Sequence, residues 1–407
     1  MNFQYVYSAE QEAFRQEVRT FFDQRVPAYR EAPVDPESID DDTFAYFRDI
    51  HKEMGERGWL YPTYPEEYGG GGLSADHEMV VQEEMARRKI PRHFSNGLVL
   101  PSILVWGTEA QKKKFLPTLL TGQETCYQTF SESQAGSDLA AITSTAVRDG
   151  DDWIINGHKL FITGIREPDL MYGPFVTQPD GARHHNLGYF LIPYPSPGVT
   201  LERMTLLNGP GQLFIHFDNV RVSSEHLLGG ENQGWQVAAT TLEEEHGGRG
   251  AAFSPDEDLQ ELLAYVRDTK RNGVALSTDP AVLLNAMDNY IDSQIHRLLE
   301  TRNYWMYVSK KEMTYEGSQS ALWRKEFRVR NARREAEIMG PYALLDHEDA
   351  DPVHGGSPEV RQRRNLAWTH PGGTPEIMRL IIARRLGISR TQERAAPTPS
   401  TATSHTG

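Results

Sequence analysis

"STAVRDGDDWIINGHKLFIT", Ser144–Thr163, gathers β-branched and aromatic residues into short runs around two turn signals, Asp149-Gly150 and Asn156-Gly157. Such dipeptides favour the left-handed backbone of tight hairpin turns, so each is expected to separate two strands of a meander. "LGYFLIP" (Leu187–Pro193) and "LFIHFDNVRV" (Leu213–Val222) continue the strand pattern. On either side the period changes to that of helices. Upstream, Ser8 with Gln11 makes a capping-box pattern, and Phe14, Val18, Phe21 and Phe22 then fall on one helical face. Thr108 with Gln111 repeats the pattern before "KKKFLPTLL". Downstream, "AVLLNAMDNYIDSQIHRLLETRNYWMYV" carries apolar residues at helical spacing, and "RVRNARREAEIMG" reads as a helix with a basic first half.

Helices, then strands, then helices do not alternate, which argues against a doubly wound parallel sheet. The expected fold class is α+β multidomain. A helical domain is expected over 1–122, a β domain over 123–233 and a helical domain over 234–390. The tail 391–407 is small, Pro- and Thr-rich and reads as disordered. "GWLYPTYPEEYGGGGL", Gly58–Leu73, lacks the Lys-Ser/Thr of a phosphate loop and reads as a packed structural loop.

The chain has 407 residues, 38% of them hydrophobic, which is enough for two or three domains with sizeable cores. A net charge of −15 argues against a nucleic-acid binder or a partner of anionic membranes. One cysteine, Cys126, excludes an internal disulfide framework and makes a cysteine metal cluster untenable; no metal is expected. No run approaches the roughly 18 apolar residues of a membrane helix. The first residues lack a signal-peptide layout. A cytoplasmic, reducing setting is expected.

Three stretches carry chemistry. "TFSESQAGSDLA", Thr129–Ala140, offers hydroxyl and backbone N–H donors to a polar ligand. "HPGGTPEIMRLIIARRLG", His370–Gly387, is a turn feeding a helix: Thr374 suits the N-cap, Pro375 the first helical position, and Glu376 the first turn. Its Gly372-Gly373 pair lets a ligand approach the backbone. In "TTLEEEHGGRG", Glu243, Glu244 and Glu245 point in three directions at about 100° per residue, so at most one or two face a pocket. The loop "GARHHNLG" holds His184 and His185 without a partner motif.

"FSESQAGSD", "WIINGHKLFITG", "FDNVRVSSEHLLGGENQGW" and "GGTPEIMRLIIARRLG" stand in the order and spacing of the acyl-CoA dehydrogenases, and "YGGGGLS" and "WGTEAQKKKFLPTLLTG" also resemble that family. The resemblance spans Ser8 to Arg390. It implies the acyl-CoA dehydrogenase fold: a helical N-terminal domain, a β-barrel-like middle domain and a C-terminal four-helix bundle, with FAD between the last two. It implies removal of two hydrogens from an acyl-CoA thioester to give the trans-2-enoyl-CoA, with electrons passed to electron-transfer flavoprotein or a similar acceptor. By position, Phe130 and Ser131 match residues beside the isoalloxazine ring. Gly136 and Ser137 match a loop touching the flavin phosphate and the thioester arm. Phe161 and Thr163 match a ring-stacking position and a hydroxyl near N5, and Thr374 and Glu376 match flavin contacts.

The reaction needs a carboxylate near the weakly acidic α-proton. Many members carry glutamate at the place of Gly372, which here has no side chain. Glu376, Glu132 and Glu245 remain. Isovaleryl-CoA and long-chain type members hold their base at the place of Glu245, so the resemblance assigns Glu245 as the base. Gly372 then contributes a backbone N–H to the thioester carbonyl. His246 replaces the usual arginine beside the base. Family members are tetramers whose subunits contact a neighbour's FAD, and the corresponding stretches here, "TKRNGVAL" and "EIMGPYALL", depart from the pattern. Arg267 or Arg271 remains for the pyrophosphate. Those departures are similar to members that pair two different subunits, several acting on steroid side chains, so a homo-oligomer or a heteromer with a related subunit is expected. Two other readings stay on the same fold: a flavin monooxygenase or nitroalkane-oxidase-like enzyme, and a non-catalytic partner subunit.

Overall fold

The computed structural model describes residues 6–27, 32–91, 96–245 and 256–389. The N-terminal part is helical: α1 (Ala9–Arg25), α2 (Asp41–Glu56), α3 (Ala75–Arg87), α4 (Leu100–Trp106) and α5 (Glu109–Leu120). Both capping boxes form, at Ser8/Gln11 and Thr108/Gln111. The anticipated apolar face of α1 buries Val18 and Phe22 against Phe47, Ile50 and Met54 of α2. The Gly58–Leu73 loop is packed as expected. A Cβ on Gly70 would lie 2.3 Å from the Tyr64 carbonyl oxygen, and one on Gly71 2.3 Å from that of Gly58.

The middle part is an eight-stranded sheet: β1 (Cys126–Gln128), β2 (Thr145–Asp149), β3 (Asp152–Thr163), β4 (Leu170–Val176), β5 (Leu187–Pro193), β6 (Val199–Leu206), β7 (Gly209–Ser223) and β8 (Leu227–Leu228). Its path runs β6-β7-β3-β2-β4-β5-β8, with β1 paired in parallel to β4. Every residue of β4 is buried, because both faces of the sheet centre are covered.

Asp149-Gly150 does lead the turn between β2 and β3, but Asn156-Gly157 does not end a strand. β3 runs unbroken through it. There β7 carries the irregularity, a one-residue bulge at which Asn219 takes φ 50°. Gly157 serves a close approach: a Cβ would lie 2.3 Å from Ser144 Oγ, and that hydroxyl accepts from His158 N and donates to His158 O, both at 3.1 Å. Asn156 Oδ1 accepts from the Asn219 amide at 2.8 Å. The dipeptide that reads locally as a hairpin turn is a stitching point between strands.

The C-terminal part comprises α6 (Gly234–Glu245), α7 (Glu257–Asp268), the small hairpin β9 (Lys270–Arg271) and β10 (Val274–Ala275), α8 (Pro280–Val308), α9 (Glu316–Met339), α10 (Ser357–Ala367) and α11 (Pro375–Arg385). Helix α9 is central and packs against α8, α10 and α11. This interior is unusually polar: Asn289, Asp292, Ser293, Glu300, Asn303, Lys325 and Glu335 are buried. In the basic half of "RVRNARREAEIMG" two arginines reach the buried Asp292, Arg334 at 2.7 Å and Arg330 at 3.3 Å, while Arg328 and Arg333 are exposed. Residues 390–407 and His246 lie outside the described residues.

Candidate active site

Helix α6 delivers the central carboxylate. Val237, Ala238 and Thr241 form its buried face, and Glu245 follows Thr241 by four residues on that row. The Thr241 hydroxyl bonds those of Tyr189 (2.9 Å) and Ser102 (2.8 Å), which fixes the helix against β5 and α4. Glu243 is exposed, while Glu245 is half-buried. Its carboxylate accepts one hydrogen bond, from Gln128 Nε2 at 3.3 Å. Burial pushes its pKa above the ordinary range, against the opposing pull of the Gln128 bond and the Lys325 charge.

The turn before α11 faces this carboxylate. Gly372 and Gly373 take φ 66° and 78°, a backbone that a side chain disfavours. A Cβ on Gly372 would lie 3.4 Å from Glu245 Oε1. Thr374 caps α11 by accepting from Ile377 N at 3.3 Å. Glu376 is exposed, pairs with Arg379 at 3.8 Å, and is held below the ordinary range by its own backbone N–H and the Thr374 hydroxyl.

Behind the turn, Lys325 of α9 is buried and donates from Nζ to the Pro371 carbonyl, with the Trp368 carbonyl at 3.4 Å. Burial lowers its pKa to about 8, with Arg324 and Arg328 adding and Glu245 opposing. Neither Gln128 nor Lys325 was foreseeable from a motif. Gln128 sits in a three-residue strand and Lys325 inside a basic run that reads as solvated.

Beneath the Thr129–Ala140 segment, Glu132 and Lys159 form a fully buried ion pair at 2.9 Å. Glu132 also accepts from Thr143 N (2.7 Å) and Ser144 N (3.1 Å), and Lys159 donates to the Pro174 carbonyl (3.0 Å). This pair fixes the turn. Ser131 joins it to β3 by accepting from Leu160 N at 3.0 Å. Phe130 is buried edge-on against Tyr172 and Tyr189, and both tyrosines feel the charge of Glu245. Gly136 and Ser137 are exposed, and a Cβ on Gly136 would meet nothing within 4 Å.

On β3, Phe161 takes φ 58° and is 54% exposed. A bulky residue in left-handed backbone inside a strand is strained, and such strain gathers at functional sites. Thr163 Oγ1, also on the exposed side, accepts from Gln212 Nε2 at 2.9 Å. An exposed aromatic ring, an oriented hydroxyl, an open glycine loop and a capped helix start fit a flat cofactor with polar edges. Arg271 is engaged within the chain, donating to the Ile338 carbonyl at 2.5 Å. His184 lies against the Trp235 ring at 4.3 Å, and the described residues hold no metal-binding group.

Two helical domains flanking a sheet, with an exposed aromatic ring and an oriented hydroxyl on one strand, outline a class of cofactor-binding protein. The comparisons with known proteins make that class specific. The N-terminal, middle and C-terminal domain models of acyl-CoA dehydrogenase match residues 8–123, 128–220 and 232–387. Acyl-CoA dehydrogenase FadE26 of Mycobacterium tuberculosis is 28% identical over 400 residues, covering 94% of this chain and 98% of that protein. The ChsE4-ChsE5 complex from Mycobacterium tuberculosis contains a chain with TM-score 0.83 and 28% identity, covering 95% of this chain and 100% of that one. The Tcur3481-Tcur3483 steroid ACAD matches with TM-score 0.83 and 27% identity, covering 97% and 100%. The chain belongs to the acyl-CoA dehydrogenase family, and its cofactor is FAD, as in that family.

Proposed function

We propose that the protein dehydrogenates an acyl-CoA thioester to the trans-2-enoyl-CoA, with Glu245 as the α-proton base. The observation that carries this reading is the meeting of Glu245 with Gly372: a carboxylate from α6 fills the space into which a side chain at 372 would point. Burial raises the Glu245 pKa, which suits a base working near neutral pH. Gln128 orients the carboxylate. The Gly372-Gly373 turn, free of side chains, presents backbone N–H groups for the thioester carbonyl, whose polarisation acidifies the α-carbon. FAD, when bound, would supply the hydride acceptor for the β-carbon. Phe161, Thr163, Phe130, Ser131, Gly136, Ser137, Thr374 and Glu376 serve its binding, and Ser137 and His246 the substrate's.

The steroid ACAD among its structural neighbours makes steroid-type acyl-CoA esters the first substrates to try. Assembly belongs to the same reading. Leu284, Met287, Ile291, Leu298 and Trp305 leave an apolar row exposed along α8, which supports association with a second copy or a related subunit, as in the ChsE4-ChsE5 complex. Electron-transfer flavoprotein or a similar acceptor then takes the electrons. No described helix is long and apolar enough to cross a membrane.

The test is anaerobic mixing of the yellow protein with a panel of acyl-CoA esters. Bleaching by one member, lost in Glu245→Gln and kept in Glu376→Gln, is the expected result. The reverse pattern would place the base in the turn before α11, and a colourless protein would favour the non-catalytic subunit.

A further inference from the structure

We propose that Lys325 is a positioning residue for the proton-abstracting carboxylate: its ammonium clamps the turn carrying Gly372 through the carbonyls of Trp368 and Pro371, and its charge favours the ionised form of Glu245. This rests on the reading of Glu245 as the base.

The geometry sets Lys325 apart from its neighbours. It lies in "LWRKEFRVR", yet it is only 8% exposed, while Glu326 beside it pairs outward with Arg379 and Arg330. Its described acceptors are carbonyls. Trp368 stands at the C-terminal end of α10, where the helix dipole presents partial negative charge. Pro371 immediately precedes the glycine whose Cβ direction ends at Glu245 Oε1. Carbonyls satisfy the N–H donors but do not cancel the charge, and a buried uncancelled charge acts over several ångströms. The carboxylate it couples to is Glu245.

Among the described residues, the other groups around the pair do not take over this role. On α9, Arg324 and Arg328 repel the ammonium, and Arg364 of α10 adds to that cluster. On α11, Arg379 is engaged with Glu326 and Glu376. From the sheet, Tyr172 and Tyr189 face Glu245 and are kept neutral by burial, so they bring no charge. Gln128 contributes a neutral donor. Removing the Lys325 charge therefore raises the Glu245 pKa further, and fewer molecules hold a ready base at a given pH below that value.

The experiment uses the FAD-loaded protein and three variants: Lys325→Gln, which keeps a donor but no charge; Lys325→Met, which keeps neither; and Lys325→Arg, which keeps the charge. The titration of Glu245 is followed by infrared difference spectroscopy, its carboxylate band assigned by subtraction of the Glu245→Gln spectrum. In Lys325→Gln and Lys325→Met the midpoint should move up by about one pH unit or more, and in Lys325→Arg it should stay with the parent. With an acyl-CoA that bleaches the parent, Lys325→Gln should be slow at acid pH and regain the parent rate as pH rises. An unmoved midpoint in the neutral variants, or a rate lowered equally at every pH, overturns the electrostatic role. If Lys325→Met does not fold, Lys325→Gln decides. Bleaching that survives Glu245→Gln overturns the base itself, an outcome distinct from the infrared result.

Discussion

Glu132 and Glu245 each feel the charge of a buried lysine, yet their pKa values move in opposite directions. Glu132, under the Thr129–Ala140 turn, meets Lys159 at 2.9 Å and accepts two backbone N–H groups besides. Burial alone would raise its pKa, but Lys159 and these donors outweigh it and leave the carboxyl at about 2. Among the described residues Glu245 has a single side-chain donor, Gln128 at 3.3 Å, and Lys325 bonds carbonyls instead, so burial wins and the pKa goes up. Both lysines are pushed down to about 8. What separates a structural acid from a prospective base is therefore whether its lysine is paired with it directly and how many donors the carboxylate already has.

Exchanging those circumstances should break the contrast. The largest effect is expected at Glu245. Glu245→Gln should slow anaerobic flavin bleaching by about 10²–10⁴ or more, with FAD and acyl-CoA still bound, while Glu243→Gln leaves the rate near the parent's. Next comes Lys159→Met, which strands Glu132 as a buried unpaired charge. A loss of about 3–5 kcal/mol in urea-unfolding stability is expected, with much of it restored in Lys159→Met/Glu132→Gln.

A finer test follows stability against pH. Glu132 is depressed from 4.5 to about 2, so its stabilisation is fully present above about 4.5 and is lost as pH falls toward 2. Glu245 is raised, so it disfavours the folded state at neutral pH and does so less as pH falls through its folded value. Glu132→Gln should then flatten the acid side of the stability curve, whereas Glu245→Gln should raise stability at pH 7. Equal responses would erase the distinction. Gly372→Ala should cost about 1–2 kcal/mol, because it places a Cβ at φ 66°, the Cβ itself meeting Glu245 only at ordinary contact distance. The smallest effect is expected at Phe161. Phe161→Gly relieves left-handed strain, so the FAD-free protein should gain about 1 kcal/mol or less while its FAD affinity falls.

Local signals were legible where they act locally. Ser8/Gln11 and Thr108/Gln111 cap the helices they announce, and Thr374 caps α11. That Glu243, Glu244 and Glu245 cannot share one direction was readable from helical periodicity, and only the family resemblance singled out Glu245. What stayed hidden depends on residues far apart in the chain. Gly157 reads as a turn glycine, yet its reason is Ser144, thirteen positions earlier on the neighbouring strand. Lys325 reads as part of a solvated basic face, because nothing near it in sequence reveals that the Trp368–Pro371 carbonyls close over it. Lys159 hides likewise in a strand whose burial only the β4 and Glu132 contacts disclose.

The 3.4 Å between the Gly372 Cβ direction and Glu245 Oε1 also constrains descent. If related enzymes carry their acid at either place, a lineage that moves it must pass through one of two intermediates. A chain with neither acid lacks the reactive group. A chain with both confines two carboxylates in one small space, where they share a proton and titrate as a coupled pair. On the proposed reading, the two positions are then coupled: an acid at one changes how an acid at the other titrates.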